Sequence, residues 1–269
     1  STRFNVEKIM ILTDYLRKLD QNGFVLLKKI LSEKKVRLIK KKLEKILNKR
    51  IKKNQFVGEE SNLILWNYFF DDKSLLELLE LPLVDKILKQ ILDPNYVLQS
   101  SVAQSRSIFK KELKVKKKAN LGVSWHTDSR YLNRKKISKG FSYLVIIALD
   151  DFDKNNGTRY IPKSHNFLKQ PKRSFSKLEL KKLKVKTLTM KAGSVCIMDT
   201  GTYHKAGEPT LNSRWSIFSI YTGWFVKPYF DYRKIYKKFK MNENIKRILH
   251  YFSRPPEIDY VRNTLSKNF

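Results

Sequence analysis

The feature of this sequence that most constrains its fold is a series of short β-rich segments that begins near residue 96. Turn-forming Asn-Gly, Gly and Pro separate these segments, and no long helical pattern interrupts them. Segments of this kind pair as an antiparallel sandwich or barrel. They are YVLQSSVAQSRSIF, LGVSWHTD, FSYLVIIAL, TRYIP, VKTLTM, SVCIMD, TYHKAG and RWSIFSIYTGWF.

Helical patterns flank this β-rich region. Residues 7–20 look helical and end at Asn22-Gly23, where the chain turns into a short apolar strand. After Ser32, a predicted N-cap, apolar residues recur at helical spacing and leave a lysine-rich face to solvent. Residues 72–92 predict two more helical pieces separated at Pro82. We therefore expect one mostly β domain with flanking α-helices: a helical layer over 1–95, a β core over 96–226 and a helical or irregular tail over 227–269, all bounds approximate.

Composition places the chain among globular proteins. Hydrophobic residues make up 41% and aromatic residues 12%, which is more than disordered chains carry. The longest apolar run, residues 141–149, is far shorter than the ~20 residues of a membrane span. The single cysteine, Cys196, excludes an internal disulfide and favours a reducing compartment. The expectation is a cytoplasmic protein with no membrane partner, either a monomer or a weak homodimer.

The formal charge of +32 has two interpretations. A basic surface attracts anionic partners such as nucleic acid, phosphorylated or CoA-linked substrates, or membranes. Alternatively, the charge follows from a general drift in composition, because 43 of the 57 basic residues are lysine and only 14 are arginine. Phosphate recognition by planar guanidinium groups would enrich arginine instead. The sequence alone leaves both interpretations open and favours drift.

A candidate metal site begins in the segment SWHTD. His126 and Asp128 are two residues apart, so on a strand both side chains point to the same face. Of the other histidines, His204 in TYHKAG lies in a late β-rich segment before a turn. Two histidines and one carboxylate, with coordination positions left open, form the facial triad of non-haem Fe(II) oxygenases. The sequence therefore predicts His126, Asp128 and His204 as metal ligands.

A candidate anion site follows shortly after His204. Arg214 opens the next β-rich segment, and Ser216 falls on the same face. An arginine inside a β core is costly unless it meets an anion. A guanidinium binds a carboxylate through two parallel hydrogen bonds, and a neighbouring hydroxyl adds a third. The distal carboxylate of 2-oxoglutarate is an anion of this kind.

Taken in order, these segments resemble a known family. WHTD, the loop LDDFDKNNGTRYIPKSHNF and HKAGEPTLNSRWSIF are similar to the successive signatures of the phytanoyl-CoA dioxygenase-like family of Fe(II)/2-oxoglutarate oxygenases. The N-terminal stretch LDQNGFVLLKKILSEKKVRLIKKKLEKI also resembles that family's opening strand and helix. The resemblance covers residues 15–225, approximately. It implies a double-stranded β-helix, which is a jelly-roll or cupin-like core with the metal inside.

The resemblance also implies cofactors and roles. The cofactors are Fe(II), 2-oxoglutarate as co-substrate and O₂, with His126, Asp128 and His204 as iron ligands and Arg214 and Ser216 as the 2-oxoglutarate anchor. Relatives that halogenate carry a small residue in place of the carboxylate, so Asp128 favours hydroxylation or a related oxidation. Lys163 stands where the family's loop has glycine, and His165 beside it is interpreted as structural. His250 is interpreted as an ordinary residue of an amphipathic tail.

Further residues are predicted from their places beside these motifs. Gln104 and Ser107 on the preceding strand, with Tyr143, are predicted to reach the co-substrate. The candidate substrate contacts are Trp125, Arg130, Tyr131 and Arg159. No catalytic residue beyond the metal ligands is predicted.

The predicted function is the oxidation of a C–H bond, by hydroxylation or a related reaction, with release of succinate and CO₂. A small metabolite, which the basic charge allows to be anionic or carrier-bound, is the favoured substrate. One alternative is a nucleic-acid-modifying oxygenase that uses the basic surface, although FKKELKVKKK offers a single aromatic for base stacking. Another is a non-catalytic jelly-roll binding protein, against which the intact ligand set and Arg214 argue.

Overall fold

The computed structural model describes residues 2–53, 57–59, 62–107, 124–129, 140–167, 175–209, 211 and 214–253. Within these ranges the chain forms ten strands and six α-helices. The strands are β1 (Phe24–Leu27), β2 (Val57–Glu59), β3 (Asn62–Trp66), β4 (Val97–Arg106), β5 (Ser142–Ala148), β6 (Arg159–Tyr160), β7 (Lys186–Thr187), β8 (Val195–Asp199), β9 (His204–Lys205) and β10 (Arg214–Thr222). The helices are α1 (Thr2–Asn22), α2 (Glu33–Lys52), α3 (Pro82–Ile91), α4 (Lys177–Lys182), α5 (Arg233–Lys238) and α6 (Glu243–Ile248).

Two antiparallel sheets form the β core. The larger sheet has seven strands in the order β1-β8-β5-β10-β4-β3-β2, and the smaller sheet has the order β7-β6-β9. Apolar side chains of both sheets meet between them, among them Ile146 and Cys196 from the larger sheet and Tyr160 from the smaller. The sheets face each other as in a jelly-roll but do not close into a continuous barrel. The predicted fold class, mostly β with flanking helices, is confirmed.

The helical layer packs on the opposite face of the larger sheet. Helix α2 begins at Ser32, whose side chain accepts a hydrogen bond from the backbone of Lys35, as predicted for its N-cap. Its predicted apolar stripe is buried, and each such side chain contributes about 1.5–3 kcal/mol when removed from water. No helix in the described ranges combines the length and apolarity needed to cross a bilayer. The buried residues of α2 are Val36, Ile39, Leu43, Ile46 and Leu47.

The N-terminal third differs from the predicted helical layer, because it also supplies strands. β1 pairs with β8 at one edge of the larger sheet, whereas β2 and β3 extend the other edge beyond β4. The residues before Pro82 form a 3-10 helix (Lys73–Leu79), and Pro82 begins α3, where its missing N–H costs no hydrogen bond. β1 coincides with the short apolar strand predicted after Asn22-Gly23. β3 was not predicted, because its apolar run LILW does not distinguish a strand from a buried helix.

Seven of the eight predicted β segments contain a strand, and LGVSWHTD is the exception. Within its described part, only His126 makes a β-bridge, with His204. Two residues later the backbone N–H of Asp128 donates instead to the carbonyl of Thr200, at 3.0 Å. The segment therefore crosses from the small sheet toward the end of β8.

Two short helices, α5 and α6, form in the described part of the predicted helical or irregular tail. Ile235 of α5 and Ile245 and Ile248 of α6 are buried in the core beneath the larger sheet. His250 is buried as well, which corrects its interpretation as an ordinary tail residue. Its Nε2 donates to the carbonyl of Leu98 on β4 at 2.9 Å, and its ring stacks on Tyr232. The histidine thus fastens the end of the described chain to the sheet.

Burial lowers the pKa of His250 to about 4, below its ordinary value of 6.5. The unfolded chain therefore takes up this proton at a higher pH than the folded chain does. We expect the free energy of unfolding to fall as the pH drops from 6.5 toward 4. In His250→Gln, which keeps a donor for Leu98, this decrease should be smaller. Urea unfolding of both proteins at several pH values measures the difference, and identical pH profiles would contradict the assignment.

Candidate metal centre

Three side chains that can bind a metal meet at one end of the cavity between the sheets. His126 and His204 exchange two backbone hydrogen bonds of 3.0 Å, so their side chains emerge next to each other. Asp128 follows two residues later and points to the same place. One ligand atom from each residue lies within 4.8 Å of the other two. The structure therefore brings the three predicted ligands together.

Local hydrogen bonds fix which nitrogen each histidine presents. Nδ1 of His126 donates to the carbonyl of Ser124 at 2.8 Å, and Nδ1 of His204 donates to the carbonyl of Thr202 at 2.9 Å. Because a carbonyl oxygen can only accept, both Nδ1 atoms carry the proton. Each neutral ring then keeps its lone pair on Nε2, which is the atom directed at Asp128. Holding the outer nitrogen in this way is how proteins commonly orient metal-binding histidines.

The donor set fits a divalent metal ion. Nε2 of His126 lies 3.7 Å from Oδ1 of Asp128, and Nε2 of His204 lies 3.7 Å from Oδ2. Two imidazole nitrogens and a carboxylate oxygen are ligands that Fe(II) accepts with coordination positions to spare. The site is largely shielded by protein, since His204 is buried and the other two are partly buried. The adjoining cavity of about 150 Å³ leaves room for further ligands.

A loop beside β6 holds the strand that carries His204. The hydroxyl of Ser164 accepts a hydrogen bond from the backbone N–H of Tyr203 at 2.8 Å and donates to the carbonyl of Ile161 at 2.6 Å. Lys163, just before it, has φ 60°, a left-handed conformation that glycine adopts at less cost. Nε2 of His165 donates to the carbonyl of Asp20 in α1, at 2.8 Å. His165 is thus placed as a structural residue, and its ring lies against Gly23, where a side chain would collide with it.

The opposite end of the cavity carries a buried arginine without a hydrogen-bonding partner. Arg214 is 3% exposed, and among the described residues nothing accepts a hydrogen bond from its Nε or Nη1. The hydroxyl of Ser216, two residues along β10, is buried and equally without a partner. Buried donors left unsatisfied cost about 1–3 kcal/mol each, and more when charged. The pair therefore forms a cradle for an anion.

The surroundings of Arg214 keep it cationic at neutral pH. Burial, followed by the charge of Arg106 on β4, lowers its pKa to about 10, while Asp150 and Asp153 act in the opposite direction. Its guanidinium carbon lies 4.1 Å from the ring centre of Phe152, a cation–π contact that fixes the side chain. The guanidinium therefore stays charged and is held in position.

The cavity between the two ends measures about 150 Å³. Of the three residues predicted to reach the co-substrate, Gln104 lines this cavity. Ser107 and Tyr143 do not: the Ser107 hydroxyl donates to the carbonyl of Leu211 at 3.1 Å, and Tyr143 belongs to the core on the helix side of the sheet. The reason is alternation along β5, where Leu144 faces the cavity and Tyr143 therefore faces away. Besides the triad, the lining residues are Ile64, Trp66, Ser100, Val102, Gln104, Leu144, Thr158, Ala206, Arg214, Phe218 and Ile220.

Of the four candidate substrate contacts, the two that the structure describes, Trp125 and Arg159, are not brought to this cavity. Trp125 packs on the outer side of the small sheet, with its ring 5.9 Å from that of Phe175, because His126 beside it takes the inward position. Arg159 alternates with Thr158, which lines the cavity, and so points the other way. Arg130 and Tyr131 lie outside the described residues.

Strand β3 contributes cavity residues that the sequence did not suggest. Ile64 and Trp66 line the cavity, and Asn62 lies on the same face of the strand. Asn62 in a run of apolar residues was the available signal, because a buried asparagine requires partners. This signal could not place Asn62 at the cavity, because that requires knowing that β3 pairs with β4, and only the tertiary structure reveals the pairing.

Comparison with known proteins gives one family and several similar folds. The sequence model of the family described as phytanoyl-CoA dioxygenase (PhyH) matches residues 19–214. No protein among curated sequences matches the chain.

The similar solved structures include two from nogalamycin biosynthesis. The epimerase SnoN, in complex with Fe³⁺, α-ketoglutarate and nogalamycin RO, has a TM-score of 0.61 and 15% identity over 81% of this chain and 87% of its own. The α-ketoglutarate-dependent carbocyclase SnoK has a TM-score of 0.60 and 17% identity over 83% and 89%. HygX from Streptomyces hygroscopicus, with nickel, 2-oxoglutarate and hygromycin B bound, has a TM-score of 0.62 and 11% identity over 81% and 89%. At these identities the comparison shows a shared fold.

We expect the purified chain to bind one divalent ion, and His126→Ala or His204→Ala to lose it while keeping the fold. A site with open positions contributes little to holding the sheets together, so the melting temperature should change little. Mn(II) titration followed by electron paramagnetic resonance measures binding, and circular dichroism checks the fold. His165→Ala serves as the histidine control, since its ring lies outside the triad. Stoichiometric binding in both triad variants would contradict the site.

Proposed function

This chain belongs to the phytanoyl-CoA dioxygenase family, and from that premise we propose that it is an Fe(II)/2-oxoglutarate-dependent oxygenase that hydroxylates a C–H bond of a small molecule. His126, Asp128 and His204 would hold the iron, and Arg214 with Ser216 would hold the distal carboxylate of 2-oxoglutarate. When bound, Fe(II) couples oxidative decarboxylation of 2-oxoglutarate by O₂, which yields succinate and CO₂, to oxidation of the substrate.

The observation that supports the proposal most directly is the guanidinium of Arg214, which lies opposite the triad with hydrogen-bond donors that no described residue uses. Arg214 and Ser216 offer three buried donor groups that no described residue uses. A dicarboxylate with one end at the triad and the other at Arg214 would satisfy these donors. Asp128 alone among the triad carries charge, so two neutral histidines leave a bound divalent ion with net positive charge. Both ends of the cavity therefore favour negative groups.

The remaining walls support an oxidation that excludes bulk water. Leu144, Phe218 and Ile220 line the cavity with apolar surface. Apolar walls strengthen the electrostatic contacts made by Arg214 and keep water from competing at the site. The protein's own contributions are binding, orientation and exclusion of solvent.

A small-molecule substrate is supported by the small volume of the cavity, about 150 Å³, and by the fold that the chain shares with SnoN and HygX, whose structures hold nogalamycin RO and hygromycin B. Asp128 supports hydroxylation over halogenation because its carboxylate occupies the ligand position that a halide would need. The structures that share this fold include an epimerase and a carbocyclase, so the product must be identified directly.

We expect Arg214→Ala to raise the KM for 2-oxoglutarate by about a hundredfold or more. Removing one partner of a buried, hydrogen-bonded charge pair typically costs about 3–5 kcal/mol. Succinate release with Fe(II), ascorbate and varied 2-oxoglutarate measures the effect. Arg159→Ala is the matched control, because its side chain points away from the cavity, and its KM should stay within twofold or so of the original. An unchanged KM in Arg214→Ala would remove this arginine from the proposal.

The high net charge favours a second candidate, a nucleic-acid-modifying oxygenase. Salt dependence separates the two. If the substrate is a small molecule, exposed lysines are screened over ~8–10 Å and its KM should change little with salt. If the substrate is nucleic acid with six to ten phosphate contacts, affinity should fall by roughly 10³–10⁵ between 50 and 200 mM salt.

We expect the shallow dependence, because the basic residues are spread over the sequence and 43 of the 57 are lysine, whereas phosphate recognition would enrich arginine. The measurement is succinate release above the substrate-free rate, with a metabolite pool and with single- and double-stranded oligonucleotides, at both salt concentrations. Release stimulated only by oligonucleotides, together with a steep salt dependence, would favour the second candidate.

A further inference from the structure

A buried amide beside the cavity has an unused hydrogen-bond donor. Asn62 on β3 is 1% exposed. Its Oδ1 accepts a hydrogen bond from Nε2 of Gln104, whereas no residue in the described ranges accepts a hydrogen bond from its Nδ2. Asn62 lies on the same face of β3 as Ile64 and Trp66, which line the cavity. An unpaired amide among apolar walls costs free energy, so its retention on this face points to a ligand.

The position of Asn62 separates it from the proposed 2-oxoglutarate cradle. Asn62 pairs with Arg106 on β4, and Arg106 pairs in turn with Arg214 on β10. Neighbouring strands lie about 4.8 Å apart, so the backbones of Asn62 and Arg214 are about 10 Å apart across the sheet. A carboxylate bound to Arg214 and Ser216 therefore lies on the far side of β4. A different molecule would be needed to satisfy the Asn62 donor, and the candidate is the substrate to be oxidised.

The residues around Asn62 indicate the polarity of the molecule that would bind there. Apolar surface from Ile64, Trp66 and Val102 continues from the amide along β3 and β4. Gln104 lies between this surface and the amide. Such a wall favours an apolar body that ends in one polar group.

Charge indicates which polar group that is. Arg106 is buried and lies on the cavity face of β4, between Asn62 and Arg214. No acidic residue of the described chain lines the cavity apart from the metal ligand Asp128. The guanidinium of Arg106 places positive charge on the cavity face beside Asn62, which favours an anionic acceptor over a neutral one.

We infer that Asn62, with Gln104 and the charge of Arg106, forms the substrate-recognition subsite and that the substrate is a small apolar carboxylic acid bound through its carboxylate. This inference rests on the proposed function, since the bound acid is a substrate only if the chain is an oxygenase. The binding of the acid itself requires neither iron nor turnover. Asn62 is a specificity-determining residue on this account, and it takes no part in holding the co-substrate.

The experiment compares acids with their alcohols as probes. Hexanoate, octanoate and 3-phenylpropanoate are titrated beside 1-hexanol, 1-octanol and 3-phenylpropanol by isothermal calorimetry. The protein is used both metal-free and loaded with Mn(II) and N-oxalylglycine, an unreactive analogue of 2-oxoglutarate. We expect at least one acid to bind about tenfold or more tightly than its alcohol, since a hydrogen bond to a charged group is worth about 1.5–3 kcal/mol.

Asn62→Asp is the sharpest variant. It keeps the acceptor for Gln104 and replaces the donor with a negative oxygen, so acid affinity should fall by about a hundredfold while alcohol affinity stays within about threefold. Asn62→Leu, which keeps the volume and removes both polar atoms, should lower acid affinity by about tenfold. Ser105→Ala is the control, because it changes a buried polar residue that faces the helix side of β4, and it should bind acids as the original protein does.

The outcomes test the subsite and the proposed function separately. Equal binding of acids and alcohols by the original protein, or unchanged acid affinity in a folded Asn62→Asp, would overturn the subsite. If Mn(II) and N-oxalylglycine fail to bind while the acids still discriminate, the proposed function fails and the subsite stands. N-oxalylglycine affinity should be the same in all three variants, and a loss confined to Asn62→Asp would place this residue in the co-substrate site instead.

Discussion

The two-residue alternation of the central strands is the constraint on which the rest of the molecule depends. Along β10, Arg214 and Phe218 face the cavity, whereas Trp215 and Ile217 are buried in the core under the helices. Because both faces are covered, a slip of one residue would bury the guanidinium among leucines and bring the tryptophan into the site. The energetic cost of that exchange fixes the register, and the register in turn places every cavity residue on β3, β4 and β5.

The helical layer is also part of the site's support. Lys40 of α2 forms an ion pair with Asp150 at 2.6 Å, and the other oxygen of Asp150 accepts a hydrogen bond from the backbone of Trp215 at 2.8 Å. This chain of contacts runs from helix α2 to Trp215, the residue next to Arg214. The start of β10 is therefore held from the helix side, while the end of the cavity that carries the metal ligands is held by the loop at Ser164. Each end of the cavity has its own anchor outside the β core.

A feature could be predicted from the sequence when the residues that determine it are close together along the chain. His126, Asp128 and Arg214 could be predicted because chemically distinctive residues recur at short, meaningful spacings, and the structure brings them to one cavity with His204. Tyr143 and Trp125 could not be placed, because inward or outward direction depends on where each strand begins and on what its neighbour requires. The role of Asn62 was beyond the sequence, since it arises only when β3 joins the edge of β4.

The unpaired state of Arg214 has a consequence for the lifetime of the protein. Without an anion, the folded chain carries the cost of a buried charge and a buried hydroxyl for which no described residue is a partner, and an anion bound there would remove that cost. Any ligand that binds only the folded state stabilises it in proportion to the logarithm of its concentration. If that anion is a central metabolite, its concentration in the cell would affect the stability of the folded chain. The rate at which the chain is lost to unfolding and proteolysis would then depend on that concentration, even when no substrate is being oxidised.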